Sequence, residues 1–114
     1  MPGTRTLLHR SDFLATARHG DKFVAASLIM QVRDRRDDEA PRLGLTATRK
    51  IGNAVIRNRA RRRMRAAASQ RLTPRARPGH DYVLIARHNT ASRPWQGLVD
   101  DLDRLIADHE KQLQ

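Results

Sequence analysis

Apolar positions along the chain change period repeatedly, and each change marks an element. Phe13, Leu14 and Ala17 recur at helical spacing behind Ser11, an N-cap residue type, and Gly20 closes the short helix this predicts through Arg18. The run FVAASLIMQVR, Phe23 to Arg33, predicts a strand that ends in the charged turn DRRDDEAP. Leu43 to Thr48 alternates and predicts a second strand, paired with the first as a hairpin across that turn. Lys50-Ile51-Gly52-Asn53 interrupts the strand: Gly52 permits an unusual backbone angle and Asn53 caps a helix starting at Ala54. That helix runs to about Leu72, where Thr73-Pro74 stops it. After the basic loop RARPG, DYVLIAR (Asp81 to Arg87) predicts a buried strand. Trp95, Leu98, Val99, Leu102, Leu105 and Ile106 then recur at three and four, the stripe of a long amphipathic helix.

The order helix, strand, strand, helix, strand, helix predicts an α+β protein, a two-layer α/β sandwich with a small sheet. At 114 residues, without an internal repeat, the expectation is one domain over 1–114.

Charge changes the picture most. Between Glu39 and Asp81 there is no acidic residue, and twelve of the 23 Lys and Arg residues fall in that gap. Solvated surface helices interleave acids and bases at i,i+4 spacing. The central helix has no acid to pair with, so its partner must supply the negative charge, which points to nucleic acid. From Pro94 onward Asp100, Asp101, Asp103, Asp108 and Glu110 face only Arg104 and Lys111, so this end is expected to point away from a bound polyanion.

The absence of cysteine excludes disulfides, thiolate nucleophiles and cysteine-ligated zinc. No stretch approaches the ~18 apolar residues of a membrane span, and MPGTRTLLHR lacks a signal-peptide core, so the expected location is the cytoplasm with no membrane partner.

On a helical wheel with Val55 at zero, Ile56, Ala60, Met64 and Ala67 fall at about 100–180°, the face expected to pack on the sheet. Arg57, Asn58, Arg61, Arg62 and Arg65 fall at about 200–340°, on one face over three turns. Successive cations there lie about 5–6 Å apart, close to phosphate spacing. Asn58 adds an amide for a base edge or sugar hydroxyl, and Arg59, at about 40°, can reach a second RNA surface. Arg63 borders the apolar arc and is expected to snorkel. Like charges at i,i+4 cost roughly 1 kcal/mol over the face, a cost that a merely structural helix has no reason to carry.

The run KIGNAVIRNRARRRMR resembles the signature of the bacterial ribonuclease P protein subunit at Lys50, Gly52, Asn53, Ala54, Val55, Arg57, Asn58, Arg59, Arg61, Arg62 and Arg65. LGL before it, Asp12-Phe13 and the late Ile85-Ala86-Arg87 agree with the same family. The resemblance implies an α-β-β-β-α-β-α order, with the basic helix in a left-handed crossover that opposes the usual rule. It implies a protein that assists a catalytic RNA in removing the 5′ leader of precursor tRNA. The partners are then that RNA and precursor tRNA, with no obligate protein partner. Magnesium serves the RNA, and the protein carries no catalytic residue and no dedicated metal site.

By the same resemblance Arg57, Asn58, Arg59, Arg61, Arg62 and Arg65 contact RNA. Phe13, Lys50, Asn53 and the sheet face at Leu28, Met30 and Gln31 line a leader cleft. Phe13 has two open readings, base stacking or anchorage of the first helix in the core. Ala17 and Gln31 stand where the family often carries aromatics, which weakens the case for stacking at those points and shifts leader binding toward backbone electrostatics.

Rival classes are a different structured-RNA-binding protein, a helix-turn-helix DNA binder and a protein-only metallonuclease. Strands flank the basic helix, so the two-helix unit joined by a short turn is missing. Asp12, Asp21 and Asp81 are scattered where a two-metal nuclease needs converging carboxylates, and His9, His19, His80, His88 and His109 have no ligand spacing.

Overall fold

The computed structural model describes residues 3–114; Met1 and Pro2, which begin the segment read above as lacking a signal sequence, lie outside the described residues. Its elements are β1 (Arg5–Thr6), α1 (Arg10–His19), β2 (Asp21–Val24), β3 (Leu28–Asp34), β4 (Arg42–Thr46), α2 (Ala54–Ala67), β5 (His80–Ala86) and α3 (Trp95–Gln112). The strands form one sheet in the order β1-β4-β5-β3-β2, parallel at β1–β4 and β4–β5 and antiparallel elsewhere.

Three local expectations are corrected here. The apolar run from Phe23 to Arg33 is not one strand: it folds back on itself at 25–27 as the β2–β3 hairpin, with Ala25 N–H donating to the Leu28 carbonyl at 2.8 Å. The strand over 43–48 does not pair with it. Instead β5, whose side chains are buried at five of seven positions, lies between β3 and β4. Burying the most apolar strand on both edges and both faces outweighs the shorter loop of a local hairpin. At α1 the cap position is His9, not Ser11, and no side chain caps it; Asp12, in the first turn, turns instead toward arginines of the sheet.

Register assigns the two faces of the sheet. Leu28, Met30 and Val32 of β3 align with Ala86, Leu84 and Tyr82 of β5, and these six residues join the core beneath α2 and α3. Ile29, Gln31 and Arg33 look the other way, with Val83 and Asp81, toward α1. Ala60, Met64 and Ala67 of α2 are buried as the wheel predicts, as are Leu98, Val99, Leu102, Leu105 and Ile106 of α3. Trp95 and Ile56, assigned to the same stripes, each stay 37% exposed at the ends of their helices. The helical run reaches Leu72 as expected, but α2 itself ends at Ala67: the chain widens into a π-helical turn over Ala68–Leu72 and tightens into a 3-10 turn over Thr73–Arg75. None of the described helices is long and apolar enough to cross a membrane.

Gly79, ahead of β5, holds the charged 35–40 loop. Arg35 N–H donates to its carbonyl at 2.8 Å and its own N–H donates to the Glu39 carbonyl at 2.7 Å. Its φ is +76°, and a Cβ there would stand 2.1 Å from the Asp37 carbonyl oxygen. Left-handed backbone and steric overlap combine, so Gly79→Ala is expected to cost at least about 2 kcal/mol. A urea midpoint that falls while the transition keeps its slope is the expected reading.

Candidate nucleic-acid interface

The head of α2 is built by three adjacent residues. Gly52, at φ +147°, lets the chain turn out of a short 3-10 segment (Arg49–Ile51), and Ile56 folds back over it: a Cβ on Gly52 would meet the Ile56 side chain at 2.9 Å. The Asn53 side chain then accepts from the Ile56 N–H at 3.0 Å, the expected N-cap.

Asn58, Arg59, Arg62 and Arg65 are exposed on this helix, and Arg57 and Arg61 are half-buried. Among the described residues none of these five arginines has an ion-pair partner. Arg61 is braced, donating to the Ala47 carbonyl at 3.1 Å and to Asn58 Oδ1 at 3.3 Å. Asn58 therefore keeps its amide donors free and its oxygen engaged.

Three other arginines of the acid-free window are occupied. Arg71 and Arg75 approach Asp103 at 3.8 Å, and Arg75 also pairs with Glu110, so the acids of α3 neutralise the segment that follows α2. The Arg63 guanidinium donates to the Thr90 carbonyl at 2.5 Å and to that of Arg93, and stands 5.8 Å from the centre of the Trp95 ring. It snorkels as expected, but onto a loop and not into water. Along α2 itself a narrow cationic crest remains, with Arg49 and Lys50 exposed ahead of its first turn.

A groove of about 340 Å³ runs beside that crest at the β1–β4 edge of the sheet, lined by Thr4 to Leu7, Phe13, Leu43, Gly44, Leu45, Arg61 and Arg65. The edge is open because β1 is only two residues long. Phe13, half-buried, packs closely against Gly44, where a Cβ would come within 2.6 Å of its ring. One ring thus anchors α1 and also faces the groove, so neither open reading of Phe13 excludes the other.

The other expected cleft residues separate. Leu28 and Met30 are fully buried on the opposite face, under α2 and α3, and cannot line a cleft; strand alternation sends them inward because their neighbours Ile29 and Gln31 face α1. Gln31 is half-buried on the α1 face. Lys50 and Asn53 are exposed at the head of α2 and do not line this groove.

Periodicity gave no sign of a carboxylate hub on the α1 face. Asp81, with no exposed surface, accepts from Arg33 at 3.0 Å, from Arg35 at 2.5 Å and from two nitrogens of Arg42 at 2.7 and 2.8 Å. Asp12 lies 3.3 Å from Arg33 and 3.5 Å from Arg42. Burial pushes the Asp81 carboxyl up, but hydrogen bonds from Arg42 and Arg35 and their charges outweigh it and hold the group below the ordinary carboxylate range. The only signal in the sequence was an acid heading an otherwise apolar strand. Among the described residues no three His, Asp or Glu side chains gather as metal ligands. His80 and His109 do meet, rings 6.0 Å apart, in an edge-packed group with Tyr82 and Phe23.

Comparison with known proteins follows this geometry. A family model described as Ribonuclease P matches residues 1–110. The ribonuclease P protein component of Ruegeria pomeroyi is 50% identical over 107 residues, which cover 91% of this chain and 85% of that one. That of Caulobacter vibrioides is 48% identical over 97 residues, 84% of this chain and 64% of the longer relative. The fold is that of the RNase P protein of Staphylococcus aureus, with TM-score 0.79 at 19% identity over 94% of this chain and 96% of that one. The RNase P protein of Thermotoga maritima gives 0.76 at 24% identity over 91% and 96%.

Proposed function

This chain belongs to the ribonuclease P protein family, the protein component of an endoribonuclease that matures the 5′ end of tRNA, and from that premise we propose how its surfaces divide the work. The crest of α2 docks on the catalytic RNA, with Arg57, Arg59, Arg61, Arg62 and Arg65 neutralising phosphates and Asn58 donating to a base edge or sugar. The single observation that carries this reading is a row of five arginines without an acid beside them. The groove at the β4 edge takes the 5′ leader of precursor tRNA, with Phe13 offering a ring face and Arg61 and Arg65 offering charge where the groove meets α2. Lys50 and Asn53 extend the anion-friendly surface at the head of α2, where N–H groups and the helix dipole converge. Gln31 lies on the same face of the sheet as Phe13.

In this reading the protein binds and orients, and phosphodiester hydrolysis with its magnesium belongs to the RNA, in the cytoplasm. The decisive experiment is cleavage of a 5′-extended precursor tRNA by a bacterial ribonuclease P RNA at low magnesium, with and without this protein, beside a protein-only control. Cleavage only when RNA and protein are combined supports the assignment; magnesium-dependent cleavage by protein alone overturns it.

Phe13→Ala is expected to weaken holoenzyme binding of precursor tRNA about tenfold while leaving mature tRNA unchanged. Equal losses for the two substrates would make the ring an anchor only.

A further inference from the structure

Helix α2 has a second flank, turned away from the leader groove. There the half-exposed Ile56 and Ile51 form one wall of a cleft of about 360 Å³; Ala91, Ser92 and His88, from the loop between β5 and α3, form the other, and Arg59 stands at the rim. We propose that this cleft receives one unstacked nucleotide of the catalytic RNA, its base between Ile51, Ile56 and Ala91 and its phosphate on Arg59. The inference rests on the docking role of α2 proposed above and deepens it.

Four observations converge on this occupant. One wall is apolar, the other sets Ala91 between the polar His88 and Ser92, and Arg59 makes the rim cationic, the pairing a nucleotide demands: a flat base with an apolar face and polar edges, joined to an anion. Arg59 has no intramolecular ion pair among the described residues, although it is exposed beside the cleft. Ile56 at 37% and Val55 at 76% exposure put β-branched apolar surface on the first turn of a helix otherwise dominated by arginine, where the core makes little use of it. The cleft also shares Arg59 with the exposed cationic row of α2, so the helix that carries the phosphate contacts presents the slot as well.

Both walls are held in place before any ligand arrives. Ile56 rests on Gly52, whose positive φ and missing Cβ make room for it. Across the cleft, Thr90 is fully buried; its hydroxyl donates to the Ser27 carbonyl at 2.6 Å and accepts from the Arg87 N–H at 2.8 Å. Arg63 fastens the same loop to α2 through the carbonyls of Thr90 and Arg93. Arg63 is therefore a positioning residue for this cleft and not a phosphate contact. A preformed slot lowers the ordering cost of taking up a base.

A base held by apolar walls adds affinity without releasing counterions, and this separates it from the phosphate contacts of the crest. The test is equilibrium binding of the full-length protein to a ribonuclease P RNA over a salt series, with base-specific chemical probing of the complex. The Ile56→Ser variant is expected to bind about tenfold more weakly with an unchanged salt slope, and one unpaired nucleotide protected in the parent complex should become reactive. Ser92→Phe, which fills the cleft from its exposed rim, should do the same; thermal unfolding of both variants at the parent temperature shows that the loss is local. Parent-like affinity and protection in both variants would overturn the cleft while leaving the crest reading intact. Failure of the parent protein to bind the RNA would overturn both.

Discussion

Alanine at Arg57, Arg62 and Arg65 together is expected to weaken binding to the catalytic RNA about a hundredfold and to shallow the log–log salt dependence by about 2.1–2.7 units. Each lost phosphate contact removes about 0.7–0.9 of the slope, and three contacts are removed. Stability should move the other way. None of the three pairs with an acid, and Arg57 and Arg65 both flank Arg61 at i,i+4 spacing, so their removal relieves repulsion and raises helix propensity. A variant that unfolds at the parent temperature or above, yet binds weakly with a shallow salt response, carries the predicted signature. An unchanged slope would remove these arginines from the interface. Arg61 differs from these three, since its hydrogen bond to the Ala47 carbonyl joins a structural role to a binding one.

The second large effect is expected on stability. Asp81 is the buried anion for Arg33, Arg35 and Arg42, and Asp81→Asn keeps its shape but removes its charge. Breaking a buried ionic cluster by deleting one sign costs about 3–5 kcal/mol. That is comparable to the whole stability of a small domain, about 5–15 kcal/mol. Urea denaturation at neutral pH measures it directly; a loss below about 1 kcal/mol would mean that solvent already screens the cluster.

The same carboxylate sets a pH dependence whose sign follows from its lowered pKa. The unfolded chain protonates Asp81 first as pH falls, so proton uptake favours unfolding. The stabilisation is complete above the ordinary carboxylate range and disappears as pH falls through the lower folded-state value. Asp37 beside Arg35, and Glu110 beside Arg75, shift in the same direction. In Asp81→Asn the acid limb of the stability profile should flatten.

What could be read in the sequence was local. Asn53 as cap, Gly52 as the break, and the buried stripes Ala60-Met64-Ala67 and Leu98-Leu102-Leu105 depend on neighbours three or four residues away, and each is in place. The free arginines were legible for a similar reason, since an acid-free window leaves nothing nearby to pair with them. Pairing across distance was not legible. Nothing in 23–48 records that β5 will separate its two halves, and local pattern alone favours a hairpin. Alternation in LIMQ distinguishes two faces but does not say which becomes core, and Leu28 and Met30 were assigned to the wrong one. The wheel separates Arg62 on the polar face from Arg63 at the apolar border, but that Arg63 fastens a loop depends on the position of Thr90 and Arg93, which lie far along the chain.

The position of β5 in the sheet also governs when this protein can exist during its own synthesis. The central strand is the last of the described strands in chain order, and it pairs with β3 across the span from Leu28–Ala86 to Asp34–His80. Until Ala86 has left the ribosome, β3 and β4 have no shared neighbour and α2 has only half a sheet to lie on. The basic residues of α2 therefore emerge before the strand that completes the sheet on which that helix packs, and the helix is presented as an ordered row of charge only once β5 has joined β3 and β4.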